Sequence, residues 1–136
     1  MVGARRSARL NPACFACGAQ NLAGLRIKFR HEAGQITAHW APTDGWESFQ
    51  GTIHGGIIST VLDEAMSKAI IARGWEAMTA DLRVRFRGRI RPGDQLTVYG
   101  WVTEKQKRRI KAEARLVSSH SDERAHAWAT FLVLVP

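Results

Sequence analysis

The chain reads GTIHGGIISTVLDEAMSKAII from Gly51 to Ile71, and this stretch predicts one long buried helix. Its apolar residues cover much of the helical circumference, which is typical of a helix that is packed on more than one side. A histidine and two glycines stand where the helix begins, and a carboxylate, Asp63, follows inside it. The stretch therefore predicts both the core of the fold and a candidate reaction site.

The chemistry of this stretch favours acyl transfer or thioester hydrolysis. Free backbone N–H groups and partial positive charge at a helix N-terminus stabilise a developing oxyanion. A buried carboxylate can act as a base or as a nucleophile. The alternative is a purely structural helix, in which Gly55 and Gly56 only permit close packing.

Helix geometry indicates that two copies of the chain would build such a site. Asp63 follows His54 by nine residues, which is about 900° of rotation and about 13.5 Å along the axis. The N-terminal end of the helix at His54, Gly55 and Gly56, here called the helix mouth, and Asp63 therefore point to opposite sides. They cannot bind the same carbonyl group within one chain. A two-fold pairing of these helices would bring the mouth of one copy near Asp63 of the other.

The remaining sequence predicts an α+β fold in which a curved antiparallel sheet of about five to six strands wraps one helix. Alternating apolar and polar residues predict the strands, and Gly34 and the Pro92-Gly93-Asp94 sequence mark turns. No βαβ repeat is present, so an antiparallel sheet is expected. The predicted helix spans residues 54–73, and the predicted strands span residues 25–30, 35–40, 78–90, 95–103, 110–117 and 126–135.

Composition indicates one globular domain. The 136 residues are 45% hydrophobic and 24% charged, and no apolar run is long enough to span a membrane. Residues 1–12 are expected to form a flexible basic tail and residues 13–136 the domain. The net charge of +8 favours anionic partners without specifying nucleic acid, membrane or phosphorylated small molecules.

Two cysteines, Cys14 and Cys17, form a C-x-x-C pair. Such a pair is half of a zinc site, and the second half is missing from the sequence. A redox pair and a reduced structural loop are the other interpretations, and the structural loop is the one we expect, with no bound metal. The absence of other cysteines fits a reducing cytoplasm.

Three segments together resemble the hotdog-fold acyl-CoA thioesterases, in particular the PaaI-like branch of the phenylacetate pathway. They are the spacing from His54-Gly55-Gly56 to Asp63, the Cys14-Phe15-Ala16-Cys17-Gly18 segment running to Leu25, and residues 77–94. The resemblance covers about residues 13–135. It implies a homodimer, often paired again into a tetramer, with active sites at the dimer interface.

The resemblance implies catalytic roles for four residues. Asp63 would be the general base or the nucleophile, and Gly55 would offer its backbone N–H to the thioester carbonyl. His54 would orient that carbonyl or cap the helix, and Thr79 would position the water or the carboxylate. An ordinary strand threonine is the alternative for Thr79.

Further residues are candidates for substrate binding. Gly56 permits close approach at the helix mouth, Glu64 is the second carboxylate, and Ser48 stands where some relatives carry an asparagine. Five arginines alternate with Leu82, Val84 and Phe86 and are expected on one face of the predicted strand. Because arginine binds phosphate in a bidentate manner, some of these, with one from the turn at 105–109, would hold the nucleotide of coenzyme A. The candidates are Arg85, Arg87, Arg89 and Arg108.

The leading hypothesis is an acyl-CoA thioesterase that needs no metal or redox cofactor, since coenzyme A is part of its substrate. A non-catalytic acyl-CoA-binding module is the main alternative. Nucleic-acid binding would leave the helix motif unexplained, and membrane association is not expected. A hotdog-fold hydratase would require an Asp/His pair at a spacing that this chain lacks.

Overall fold

The computed structural model describes residues 11–134, which form one helix and six strands. The helix, α1, spans Gly55–Ala72 and follows a short 3₁₀ turn at Asp44–Trp46. The strands are β1 (Arg30–Glu32), β2 (Gln35–Trp40), β3 (Ala77–Phe86), β4 (Leu96–Gln106), β5 (Arg109–Ser118) and β6 (Glu123–Val133). They form one antiparallel sheet in the order β1-β2-β4-β5-β6-β3, so β1 and β3 are its edges.

The helix packs against one face of the sheet, as its apolar circumference predicts. Its buried residues join those of β2, β4, β5 and β6 in one hydrophobic core. Gly100 of β4 permits the close approach, because a Cβ there would lie 2.5 Å from the carbonyl oxygen of Ala65. Gly74 follows the helix with a φ of +85°, the left-handed conformation common after a helix C-terminus. The predicted helix and the antiparallel sheet around it are confirmed.

The first predicted strand is wrong over most of its length. Leu25 and Ile27 are buried, as their alternation predicts, but only Arg30–Glu32 pairs with β2. The backbone N–H groups of Leu25 and Ile27 instead donate to the carbonyls of Phe15 and Ala16. This segment therefore packs on the preceding loop, and alternation alone could not distinguish that partner from a strand.

The third predicted strand is too long at its C-terminal end. It ends at Phe86, after which the N–H groups of Arg87 and Gly88 both donate to the carbonyl of Arg124. A bulge between Thr79 and Asp81 shifts the alternation, so that Thr79 and Leu82 both face the helix side. Leu82 and Phe86 remain 40% and 52% exposed because no strand covers this edge within residues 11–134.

The predicted basic tail lies outside the described residues except for its last two positions, so it stays a prediction. Within residues 11–134, no helix has the length and apolar character needed to cross a membrane.

Candidate active site

His54 caps the N-terminus of α1 with its side chain. Its Nδ1 accepts a hydrogen bond of 2.9 Å from the Gly56 N–H, and its backbone carbonyl accepts from Ile57 and Ile58. A Cβ at Gly56 would lie 3.1 Å from Nδ1, so glycine makes room for the histidine ring. Because Nδ1 is the acceptor, the proton of the neutral ring is on Nε2, which becomes a donor.

The Gly55 N–H is the unused backbone donor at the helix mouth. Within residues 11–134 it has no hydrogen-bond acceptor, whereas the next three N–H groups are taken up by His54. Gly55 also lies beside Phe86, whose ring would be 3.4 Å from a Cβ at this position. The helix mouth therefore offers the kind of free donor that an oxyanion needs.

A depression of about 430 Å³ opens at the helix mouth. Trp46 forms part of its wall and stacks on Trp40, with 6.2 Å between the ring centroids. His54 and Gly56 line it, so two of the predicted site residues are brought together here. Neither Asp63 nor Thr79 lines it.

Asp63 forms a separate pair with Thr79. The Thr79 hydroxyl donates to Asp63 Oδ1 at 2.6 Å, which joins α1 to the N-terminal part of β3. Burial raises the pKa of Asp63, and the hydrogen bond from Thr79 offsets part of that rise. The result is a carboxylate that is more basic than an ordinary aspartate and is held in one orientation.

One chain does not bring Asp63 to the helix mouth. Gly55 and Asp63 are eight residues apart, which is about 12 Å along the helix axis. Gly55 lies by Phe86 at one end of β3, and Asp63 lies by Thr79 at the other. The axial separation expected from helix geometry is present, but the expectation that the two groups point to opposite sides is wrong, because both lie against β3. The two-chain site itself stays a prediction.

The predicted single face of arginines is wrong, because β3 ends at Phe86. Arg85 is paired with His126 in the sheet register and is exposed, and the Arg87 Nε lies 4.0 Å from a Glu123 carboxylate oxygen. Arg89 turns to the loop before the helix, where its Nε donates to the Thr52 hydroxyl at 2.7 Å. Of these arginines, Arg89 is the one that contacts the loop leading into the helix mouth.

Arg108 lies at the opposite end of the sheet from Arg89. Its guanidinium donates to the carbonyl of Val133, which pairs with Ala77 at the start of β3. A ten-residue strand is about 30 Å long, so Arg108 and the residues after Phe86 cannot share one phosphate in one chain. Arg108 lies in the turn between β4 and β5, and this hairpin places the turn far from the helix mouth.

Ser48 is exposed in the loop before the helix, and its backbone N–H donates to the carbonyl of Thr52. Glu64 lies elsewhere than expected. One of its carboxylate oxygens lies beside the sulfur atoms of Cys14 and Cys17, and the three atoms are all within 4.8 Å of one another. Burial, together with contacts to Cys14 and Glu64, raises the pKa of the Cys17 thiol to about 12.

Sequence reasoning missed this grouping because it joins a loop to a helix 47 residues away. The C-x-x-C spacing was the available signal, but a sequence without known contacts offers no way to find its third member.

A sequence comparison identifies the family. The family model of the thioesterase superfamily matches residues 50–125, more than half of the chain. The chain belongs to the thioesterase superfamily. The matched region contains the helix mouth, Asp63 and Thr79.

Similar folds are found among solved structures. The crystal structure of another thioesterase superfamily protein has a TM-score of 0.85 at 19% identity, over 89% of this chain and 60% of that one. The Escherichia coli PaaI protein, from the phenylacetic acid degradation operon, has a TM-score of 0.76 at 19% identity, over 82% and 81%. A Streptococcus mutans protein bound to acetyl CoA has a TM-score of 0.75 at 21% identity, over 79% and 88%. The predicted hotdog fold is therefore confirmed.

A curated relative from Candida albicans, an uncharacterized mitochondrial protein, is 29% identical over 85 residues. The chain spans only 38% of that relative and 60% of the first of the structures above.

Proposed function

We propose that this protein is an acyl-CoA thioesterase that acts as a homodimer and hydrolyses the thioester to a free acid and coenzyme A. The observation that carries the proposal is the placement of two complementary groups at opposite ends of one edge strand. Asp63, held by Thr79, lies at the N-terminal end of β3, and the free Gly55 N–H lies at its C-terminal end. One end of β3 therefore supplies the base, and the other end supplies the donor for the oxyanion.

Antiparallel pairing of β3 with its copy would unite the two ends. If the two-fold axis lies near Leu82 and Arg83, Thr79 of one copy faces Phe86 of the other. Asp63 of the first copy then lies near Gly55 of the second. The exposed apolar side chains of Leu82 and Phe86 would be covered in the same step, and an unpaired strand edge is a template for this pairing.

The proposed reaction proceeds by water attack. Asp63 takes a proton from water as the oxygen attacks the thioester carbonyl carbon, and the negative charge moves to the carbonyl oxygen. The Gly55 N–H of the other subunit donates to this oxyanion, and His54 Nε2–H is a second candidate donor at the same helix end. The intermediate collapses with loss of the thiolate, which takes the proton from Asp63 and leaves as the coenzyme A thiol. Water and the enzyme's own groups balance this reaction, so we propose no metal or redox cofactor for it.

Burial raises the pKa of Asp63, which makes the carboxylate a better proton acceptor for general-base catalysis. Direct attack by the carboxylate is the competing route. Under single-turnover conditions in ¹⁸O-water, ¹⁸O in the Asp63 side chain would establish direct attack through a mixed anhydride opened at the aspartyl carbon, since general-base hydrolysis leaves no label there.

The coenzyme A portion would lie over the loop before the helix. Arg89 supplies positive charge there, and the whole chain carries a net charge of +8. Trp46 and Ile57 give the helix-mouth depression apolar walls against which the acyl or pantetheine chain would pack. The Streptococcus mutans neighbour bound to acetyl CoA supports a ligand of this class.

The test is release of free thiol from short, medium, long and aromatic acyl-CoAs. Asp63→Asn keeps an acceptor for Thr79 and removes the base, so we expect the rate constant to fall by about 10² or more. Asp81→Asn is the matched control, because Asp81 is an exposed carboxylate on the outer face of the same strand. Undiminished hydrolysis by Asp63→Asn would refute the mechanism. Tight acyl-CoA binding with no hydrolysis by the wild type would instead identify a non-catalytic binding module.

A further inference from the structure

The loop before β1 places two cysteines on one side. The Gly18 N–H donates to the Cys14 carbonyl, and the Leu25 N–H donates to the Phe15 carbonyl, which closes the loop on itself. A Cβ at Gly18 would lie 2.4 Å from the Cys14 backbone nitrogen, so this tight return requires glycine. Both sulfur atoms consequently lie near each other, facing α1.

The helix supplies a third ligand atom to the same place. A Glu64 carboxylate oxygen and the two cysteine sulfurs all lie within 4.8 Å of one another, and each of the three residues is half-buried. This set joins segments that are far apart in sequence. It is also separate from the Asp63–Thr79 pair, which occupies a different side of the helix.

We propose that Cys14, Cys17 and Glu64 bind a zinc ion that fastens the N-terminal loop to α1. Two thiolates and one carboxylate are ligands that Zn²⁺ accepts, and soft thiolates select zinc over magnesium or calcium. In a tetrahedral site the ligand atoms would be about 3.5–3.8 Å apart. None of the present separations exceeds 4.8 Å, so each is within about 1.3 Å of the tetrahedral value. Water completes the tetrahedron.

Lys68 makes the charge of this site acceptable. Zn²⁺ with two thiolates and one carboxylate has a net charge of −1, and the Lys68 ammonium offsets it. Its Nζ lies 3.8 Å from Glu64 Oε1, and both side chains are less than a fifth exposed. Outer-shell groups orient metal ligands and tune the site, and Lys68 lies where it can play that part for Glu64.

The proposal predicts that reduced, metal-free full-length protein binds one Co²⁺ per chain and develops strong tetrahedral d–d and thiolate charge-transfer bands. Zinc should displace the cobalt and raise Tm, and a chelator should reverse both effects. Cys17→Ser removes one of the two thiolates and should weaken the charge-transfer bands, and Glu64→Gln should weaken zinc affinity at least about tenfold.

Glu104→Gln is the control, because Glu104 is an exposed carboxylate on β4 and should leave zinc affinity unchanged. Circular dichroism of the metal-free variants checks that each remains folded. If the wild type shows only weak octahedral cobalt bands, and Cys17→Ser shows the same bands, the proposed site is wrong. Wild-type zinc affinity in Glu64→Gln would overturn the assignment of its third ligand. These readouts do not depend on thioesterase activity, so they test the zinc site independently of the proposed reaction.

Discussion

Replacing Thr79 with valine removes the hydroxyl that orients Asp63 and preserves the shape of the side chain. The hydrogen bond is 2.6 Å long, which is typical of a hydroxyl donating to a charged carboxylate. Such a bond contributes about 1.5–3 kcal/mol. If that contribution is lost in the transition state, kcat falls by about 10-fold to 100-fold. KM should change little, because Thr79 does not line the helix-mouth depression.

The pH profile of the same variant tests the reason for the effect. The Thr79 hydrogen bond lowers the pKa of Asp63, so its removal should move the acid limb of kcat/KM to higher pH. Thiol release is measured across the acid and neutral range for wild type, Thr79→Val and Thr79→Ser. Serine restores the hydroxyl, so it should restore both the wild-type rate and the wild-type position of the acid limb of kcat/KM. A valine variant with activity within about twofold of wild type and an unmoved limb would refute the assigned role of Thr79.

Three further predictions concern stability. Burial raises the pKa of Asp63, so ionisation of this carboxyl destabilises the folded state as pH rises through that pKa. Asp63→Asn should therefore raise Tm at pH 8. The gain in Tm should vanish when the pH is lowered below the range in which an ordinary aspartate titrates. His54→Ala removes the helix cap and should cost about 1 kcal/mol in urea unfolding, whereas His54→Asn should retain most of it; equal losses would contradict the capping role. Gly100→Ala forces a Cβ against the Ala65 carbonyl and should lower the free energy of unfolding by about 1–3 kcal/mol. An unchanged urea midpoint would refute the tight packing of α1 on β4.

The sequence was sufficient to predict the helix and the antiparallel sheet because each has an unambiguous local pattern. His54 and Gly74 end the helix by capping rules that depend only on neighbouring residues. The strands β4, β5 and β6 alternate cleanly because one face of each is buried against the helix.

The errors occur where tertiary contacts override local alternation. Leu25 and Ile27 are buried in the core while their backbone N–H groups bond to a loop instead of a strand, and the alternation is the same in both cases. The arginines after Phe86 continue the alternating pattern of β3 although the chain has already turned toward Arg124. A bulge such as the one at Thr79 and Asp81 has no reliable sequence signal, yet it turns Thr79 toward Asp63.

The candidate site could be predicted only in part. Spacing along one helix was enough to separate Asp63 from Gly55, because that distance depends on helix geometry alone. The association of Glu64 with Cys14 and Cys17 was not accessible, because it depends on how the N-terminal loop folds over the helix. Arg108 was expected among the phosphate-binding arginines, although the β4–β5 hairpin carries it to the far end of the sheet.

The central claim is that Asp63 of one subunit acts with Gly55 of the other, and mixed dimers test it most directly. Gly55→Pro removes the donor N–H at the first helical position, where proline is tolerated. The extended His54 backbone, with φ −60° and ψ 131°, suits the residue before a proline. Thiol release is measured for Asp63→Asn, for Gly55→Pro, and for the two chains co-expressed in equal amounts.

Each variant alone should be nearly inactive. In the mixture, half of the dimers contain both variants, and each such dimer has one intact shared site. The account therefore predicts recovery of about a quarter of the wild-type rate. If Asp63 and Gly55 of the same chain formed each site, no intact site would exist in any dimer. A mixture as inactive as its two components, with mixed dimers shown to be present, would contradict the shared site.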